Sequence, residues 1–263
     1  MTFFFYCITN PILQKQSYVA IEKLENNEIS VSEANNVSRS SGAYLHRLNQ
    51  GNRRATRQNR NKHFELTSES KINSLGVKLY RIRCTRPVKD VKVGDLGGWI
   101  RVSKNLSGDV WIYEDAEVFG WAEVRGHAEI RDNAMIYGFA KVFGNAKVSD
   151  QADICSHAQI FGNSEVSGRA RITGIVRLFG NVKVSDSALL SASAEGYGNA
   201  KISGNSWVTD QAKIFDNAEV TGHAIVRADV YGKAKVYGYA EVEEPISGLA
   251  EIYGDVRAMA NAD

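Results

Sequence analysis

Val142-Phe-Gly-Asn145, Ile160-Phe-Gly-Asn163, Leu178-Phe-Gly-Asn181, Gly196-Tyr-Gly-Asn199 and Ile214-Phe-Asp-Asn217 each begin eighteen residues after the one before. Between them runs a shorter rhythm of six, Ala-x-Val/Ile-x-Gly/Asp-Asn/His/x, as in Ala116-Glu-Val118, Ala122-Glu-Val124, Ala140-Lys-Val142 and Ala200-Lys-Ile202. A fixed short period is the mark of a solenoid, in which no unit buries its apolar face alone and each must stack on its neighbours. Side chains alternate across a strand, so Ala and Val/Ile share one side and the two intervening residues the other. Gly with Asn, or Asp with Gln, then supplies a corner where positive φ costs little. Three such strands make a triangular coil of eighteen residues.

The expected fold is therefore all-β: a single-stranded parallel β-helix of three hexads per coil and about eight coils, over residues 106–263. Two irregularities interrupt it. Ala224-Ile-Val226-Arg runs into Ala228-Asp-Val230 two residues early, and Glu243-Glu-Pro-Ile-Ser-Gly248 reads as a four-residue insertion before Ala250. Both fall in the same third of the triangle, a corner adjustment and a small outward loop. Pro is missing between Pro87 and Pro245, as a ladder needing every N–H requires.

Residues 63–105 read as a small β cap over the open end. Val77-Lys-Leu-Tyr-Arg-Ile-Arg-Cys84 alternates like a strand, and Gly94-Asp-Leu-Gly-Gly98 is a turn cluster ahead of Trp99-Ile100. An uncapped coil would offer a flat unpaired edge. Residues 1–62 form a basic, partly helical or flexible extension. Tyr18, Ile21 and Leu24 lie about a helical turn apart, and shorter helices are expected from Ser32 and over residues 43–48. Nine Lys and Arg against four Asp and Glu give this segment +5, whereas residues 63–263 carry twenty-three against twenty-six, or −3.

No run of eighteen apolar residues suggests a membrane span, and the apolar start lacks the basic lead of a signal peptide. Cys7, Cys84 and Cys155 are odd in number and far apart, pointing to a reducing cytoplasm.

The hexads are similar to those of the hexapeptide-repeat superfamily, the left-handed parallel β-helix proteins; the left hand of the coil rests on this resemblance. His63-Phe-Glu-Leu-Thr67, Leu79-Tyr-Arg-Ile-Arg83, Gly94-Asp-Leu-Gly-Gly-Trp-Ile100 and Lys104-Asn-Leu-Ser107, leading into the repeats, resemble the YdcK-like proteins of enterobacterial, phage and prophage genomes. The resemblance covers residues 63–263. Its members are usually described as acyltransferases or left without a function, so it implies a fold more than an activity. In enzymes of the superfamily the residue after the inward aliphatic is mostly Gly, Ala, Asp or Glu; here it is often Phe, Tyr, Ser or Thr.

Acyl transfer on this fold implies an acyl-CoA such as acetyl-CoA and a histidine general base in a cleft between subunits. The candidates are His127, His157 and His223, all at corners, where each reads first as a corner residue standing in for Asn. Their separations of 30 and 66 residues are not multiples of eighteen, so they do not converge as zinc ligands would. No metal is expected, nor a cofactor outside the acyl-CoA reading. Gly94–Gly98 lacks the Lys-Ser/Thr ending of a phosphate loop.

Stacking turns equivalent positions into columns. Phe143, Phe161, Phe179, Tyr197 and Phe215 point outward, extended by Tyr231 and Tyr253 across the breaks; the column reads as internal stacking or as a protein interface. Asn145, Asn163, Asn181, Asn199 and Asn217 form an amide ladder. Leu189, Trp207 and Ile225, with Met135 lower down, make an apolar patch suited to a subunit contact or to docking residues 1–62. Arg47, Arg53, Arg54, Arg57, Arg60 and Lys62 form a basic arm able to meet nucleic-acid phosphates or simply to be solvated. The function expected is a non-catalytic oligomeric scaffold or binding protein of phage or prophage origin, with acyl transfer and nucleic-acid binding as alternatives.

Overall fold

The computed structural model describes residues 62–258, and within them the chain is a parallel β-solenoid of about nine turns with almost no helix. The extension expected to be basic and partly helical lies, apart from Lys62, outside the described residues.

Three sheets of twelve, seven and nine strands form the sides. Register follows the sequence period: Lys141–Val142 pairs with Gln159–Ile160 on one side, Lys147–Val148 with Glu165–Val166 on the second, and Asp153–Ile154 with Arg171–Ile172 on the third. These sides are called the aromatic, the charged and the mixed face, after the columns described below. Ladder bonds run from coil to coil, as in Lys141 N to Ala158 O at 2.8 Å and Phe143 N to Ile160 O at 3.0 Å.

The interior is what alternation dictates. Ala134, Ile136, Ala140, Val142, Ala146 and Val148 are fully buried, and one continuous core runs from Phe64 to Val242. Each buried Val, Ile or Leu contributes about 1.5–3 kcal/mol of gross burial, before chain entropy is set against it.

The corners explain the Gly/Asp choice. Asp132, Asp150 and Asp186 have φ of 57–59°, the region that favours glycine. Asp repays its strain because its carboxylate accepts the N–H of the corner one coil on: Asp150 N to Asp132 Oδ2 at 2.9 Å, Gly168 N to Asp150 Oδ2 at 2.8 Å, Gly204 N to Asp186 Oδ2 at 2.9 Å.

At the lower end β1 (Phe64–Ile72), β2 (Lys78–Cys84) and β3 (Leu96–Ile100) are antiparallel, and β3 then pairs in parallel with Glu117–Val118 on the mixed face. Because β3 already lies in the stack and the upper coils step by sixteen residues instead of eighteen, the turns number about nine rather than eight. Gly97 and Gly98 sit inside β3 rather than in a turn; only Gly94 of that cluster has the positive φ of one. Phe64, Ile82, Val88 and Val91 plug the core from below. His63 Nε2 meets Val110 O at 2.5 Å, and Lys62 Nζ donates to Ser103 O and, at 3.1 Å, to Leu106 O, which satisfies carbonyls of the lowest coil.

The upper end corrects the expected insertion. Val230 bridges to Ile214 below and Ile246 above, each sixteen residues away, and Glu219↔Lys235, Ile225↔Glu241 and Lys235↔Glu251 keep the same step. The coil shortens from eighteen to sixteen residues, twice at one corner. Glu243–Ile246 is that short corner repeated, not an outward loop.

Candidate functional site

The outward columns carry what chemistry the surface offers. On the aromatic face Phe143, Phe161, Phe179, Tyr197, Phe215 and Tyr231 form one stack of half-buried rings. Successive centroids lie 4.8, 5.2, 5.1, 4.7 and 4.9 Å apart, with planes within 11° of parallel. The coil spacing imposes this face-to-face arrangement. The four inner rings give both faces to their neighbours, so this part of the ridge shows the outside its edges. Arg125 closes the foot, 4.8 Å over Phe143, and Arg177 lies 5.6 Å from Phe179. Burial, with the carboxylates of Asp229, Glu195 and Asp216, pushes the Tyr197 hydroxyl above its ordinary pKa, so it stays neutral.

Tyr231 joins this column, but Tyr253 does not. It stacks on Tyr237 at 5.3 Å, in the column of Ser203 and Thr221 on the charged face, because sixteen-residue coils carry it there. Beside the ridge the amide ladder is continuous, with Nδ2-to-Oδ1 bonds of 3.0, 3.1, 3.0 and 3.2 Å from Asn145 to Asn217.

Leu189, Trp207 and Ile225 lie side by side on the mixed face, Trp207 at 37% exposure and the others half-buried. Trp207 Nε1 donates to Ser191 Oγ at 2.8 Å, which fixes the indole. Met135 occupies the same column, cut off from the patch by Asp153 and Arg171, an ion pair at 3.6 Å. Burial raises the Asp153 pKa, with Arg171 and the Tyr137 hydroxyl acting against it.

The histidines lie on three different corners. His127 stands one coil below Asn145, and its carbonyl accepts from Lys89 Nζ at 3.0 Å; with Arg86, Val88 and Asp109 it lines an open hollow of about 350 Å³. His157 stacks on Phe139 at 4.9 Å, and burial, then the Lys141 charge, hold its pKa below the usual imidazole value. His223 stacks on Tyr239 at 4.7 Å, with Nε2 3.1 Å from Asn205 Nδ2. The structure brings no two of them together. Of the basic arm only Lys62 is described, and its ammonium is turned to backbone carbonyls. Among the described residues no three His, Cys, Asp or Glu side chains gather as a metal site, and no helix is long and apolar enough to cross a membrane.

One column escaped the sequence reading. Trp121, Phe139 and His157 stack at 6.5 and 4.9 Å on the corner between the mixed and aromatic faces, and Ile175 follows, 56% exposed. Its eighteen-residue spacing is present in the sequence, but four different residue types conceal it.

No family model matches the chain, and no curated protein is found similar to it.

Proposed function

We propose that the solenoid is a left-handed β-helix of the hexapeptide-repeat, YdcK-like kind, encoded by a phage or prophage, and that it serves in the bacterial cytoplasm as a non-catalytic oligomeric scaffold or binding protein. The observation that carries this reading is the aromatic ridge: six stacked rings from Phe143 to Tyr231, half-exposed in one line. Water gains nothing from these ring edges, and a second chain laid against them would remove a long apolar strip from solvent. The stacking already supplies roughly 0.2–1 kcal/mol per pair within the chain, which keeps the ridge rigid before it meets a partner.

The test is the double substitution Phe161→Ser with Phe179→Ser. Self-association is expected to weaken by about a hundredfold or more, the scale of two lost anchors, while far-ultraviolet circular dichroism stays β-rich. A double mutant that assembles like the wild type would remove the ridge as the interface.

A further inference from the structure

The column Trp121–Phe139–His157–Ile175 stands apart from the ridge, one corner away. Trp121 is 38% and Ile175 56% exposed, at the lower and upper ends of a strip three coil steps long, or roughly 14 Å. Inward of it the mixed face is apolar as well: Phe119, Tyr137 and Cys155 are buried against Val77, Leu79 and Trp99.

What lies below the strip identifies its occupant. One coil beneath Trp121 the corner is the short 3-10 turn Ser103–Asn105, tied upward by Asn105 Nδ2 to Gly120 O (3.2 Å) and Ala122 O (2.9 Å). Lys62 Nζ is anchored on that same turn, at Ser103 O. Lys62, the first described residue, therefore lies at the foot of this column. The sequence before it has the stripe Tyr18, Ile21 and Leu24, and residues 1–62 hold +5 against −3 for residues 63–263. A helix over residues 13–25 would be about 20 Å long, enough to cover the strip, and residues 26–61, at up to about 3.3 Å each, span the distance with slack.

We infer that residues 13–25 dock in cis on the corner strip Trp121–Phe139–His157–Ile175, with Tyr18, Ile21 and Leu24 against it. The chain then covers this surface itself and leaves the aromatic ridge for other molecules.

The test uses the full chain with benzoylphenylalanine in place of Ile175, and, as a control on another corner, in place of Lys233. Mixing heavy- and light-isotope chains before irradiation separates links within a chain from links between chains. Cross-links from position 175 to peptides of residues 13–25, within one chain, are expected, with none from position 233. Ile21→Ser with Leu24→Ser, which leaves the solenoid untouched, should reduce their yield about tenfold or more. Links only between chains would mean that a second copy occupies the strip and would overturn the inference. So would links only to other segments, no links at all, or a yield unaffected by the two serines.

Discussion

At Gly98 there is no room for a side chain. A Cβ there would stand 2.5 Å from Ala116 O and 2.5 Å from Ile112 Cγ2, and one at Gly97 would stand 2.6 Å from Ile112 O. The pair lets β3 lie flush on the first coil, so these glycines serve close approach rather than a turn. Gly98→Ala is expected to cost about 1–3 kcal/mol as an overpacking change, read from the urea midpoint; an unchanged midpoint would contradict the contact. His63 presents a different constraint. Burial holds its pKa below the usual imidazole value, against the pull of the Val110 carbonyl and Asp109, and Arg86 and Lys62 push the same way as burial. The unfolded chain then takes up the proton more readily than the folded one. The contribution of the neutral ring is complete above about pH 6.5 and is lost as pH falls below it, through the folded value. Stability should decline between about pH 7 and 5 by more in the wild type than in His63→Gln. Parallel pH profiles would show this ring to be irrelevant.

Among elements, inner and outer columns contribute unequally. Ile154 is fully buried between Ile136 and Ile172, and Ile154→Ala should cost about 2–5 kcal/mol. Asn181 is exposed and makes two amide bonds in its ladder, so Asn181→Ala should cost only about 1 kcal/mol. Thermal unfolding of the two variants measures the contrast, and equal losses would contradict it. The same distinction decides what could be read in advance. Inward Ala and Val/Ile recur with little variation, because the narrow prism admits few alternatives, and they made the coil legible. The amide ladder was legible because Asn repeats identically. The upper breaks were not. Pro245-Ile246 lacks the Ala-x-Val signature, so a shortened corner looked like an insertion, and counting onward from it put Tyr253 in the wrong column. Ile246 takes the inward place of Val230, and only the pairing shows that. The Trp121–Ile175 strip was hidden for the opposite reason: outward corners tolerate any residue that stacks.

As a whole molecule, the solenoid presents surfaces of different character. Glu165–Lys183 at 3.0 Å and Lys201–Glu219 at 2.8 Å keep the charged face neutral by ion pairs along its column. Such exposed pairs contribute little stability, typically under about 1 kcal/mol, and the apolar surface of this face is confined to Tyr237 and Tyr253 at its upper end. The aromatic ridge and the Leu189–Trp207–Ile225 patch are two of the surfaces where apolar side chains line up, and the scaffold reading stands on their covering one another or a partner. Light scattering coupled to size exclusion, over a hundredfold range of loading concentration, tests this most directly. The account predicts a mass that rises with concentration to a whole-number multiple of 29.0 kDa; a mass fixed at 29.0 kDa at every concentration would contradict it.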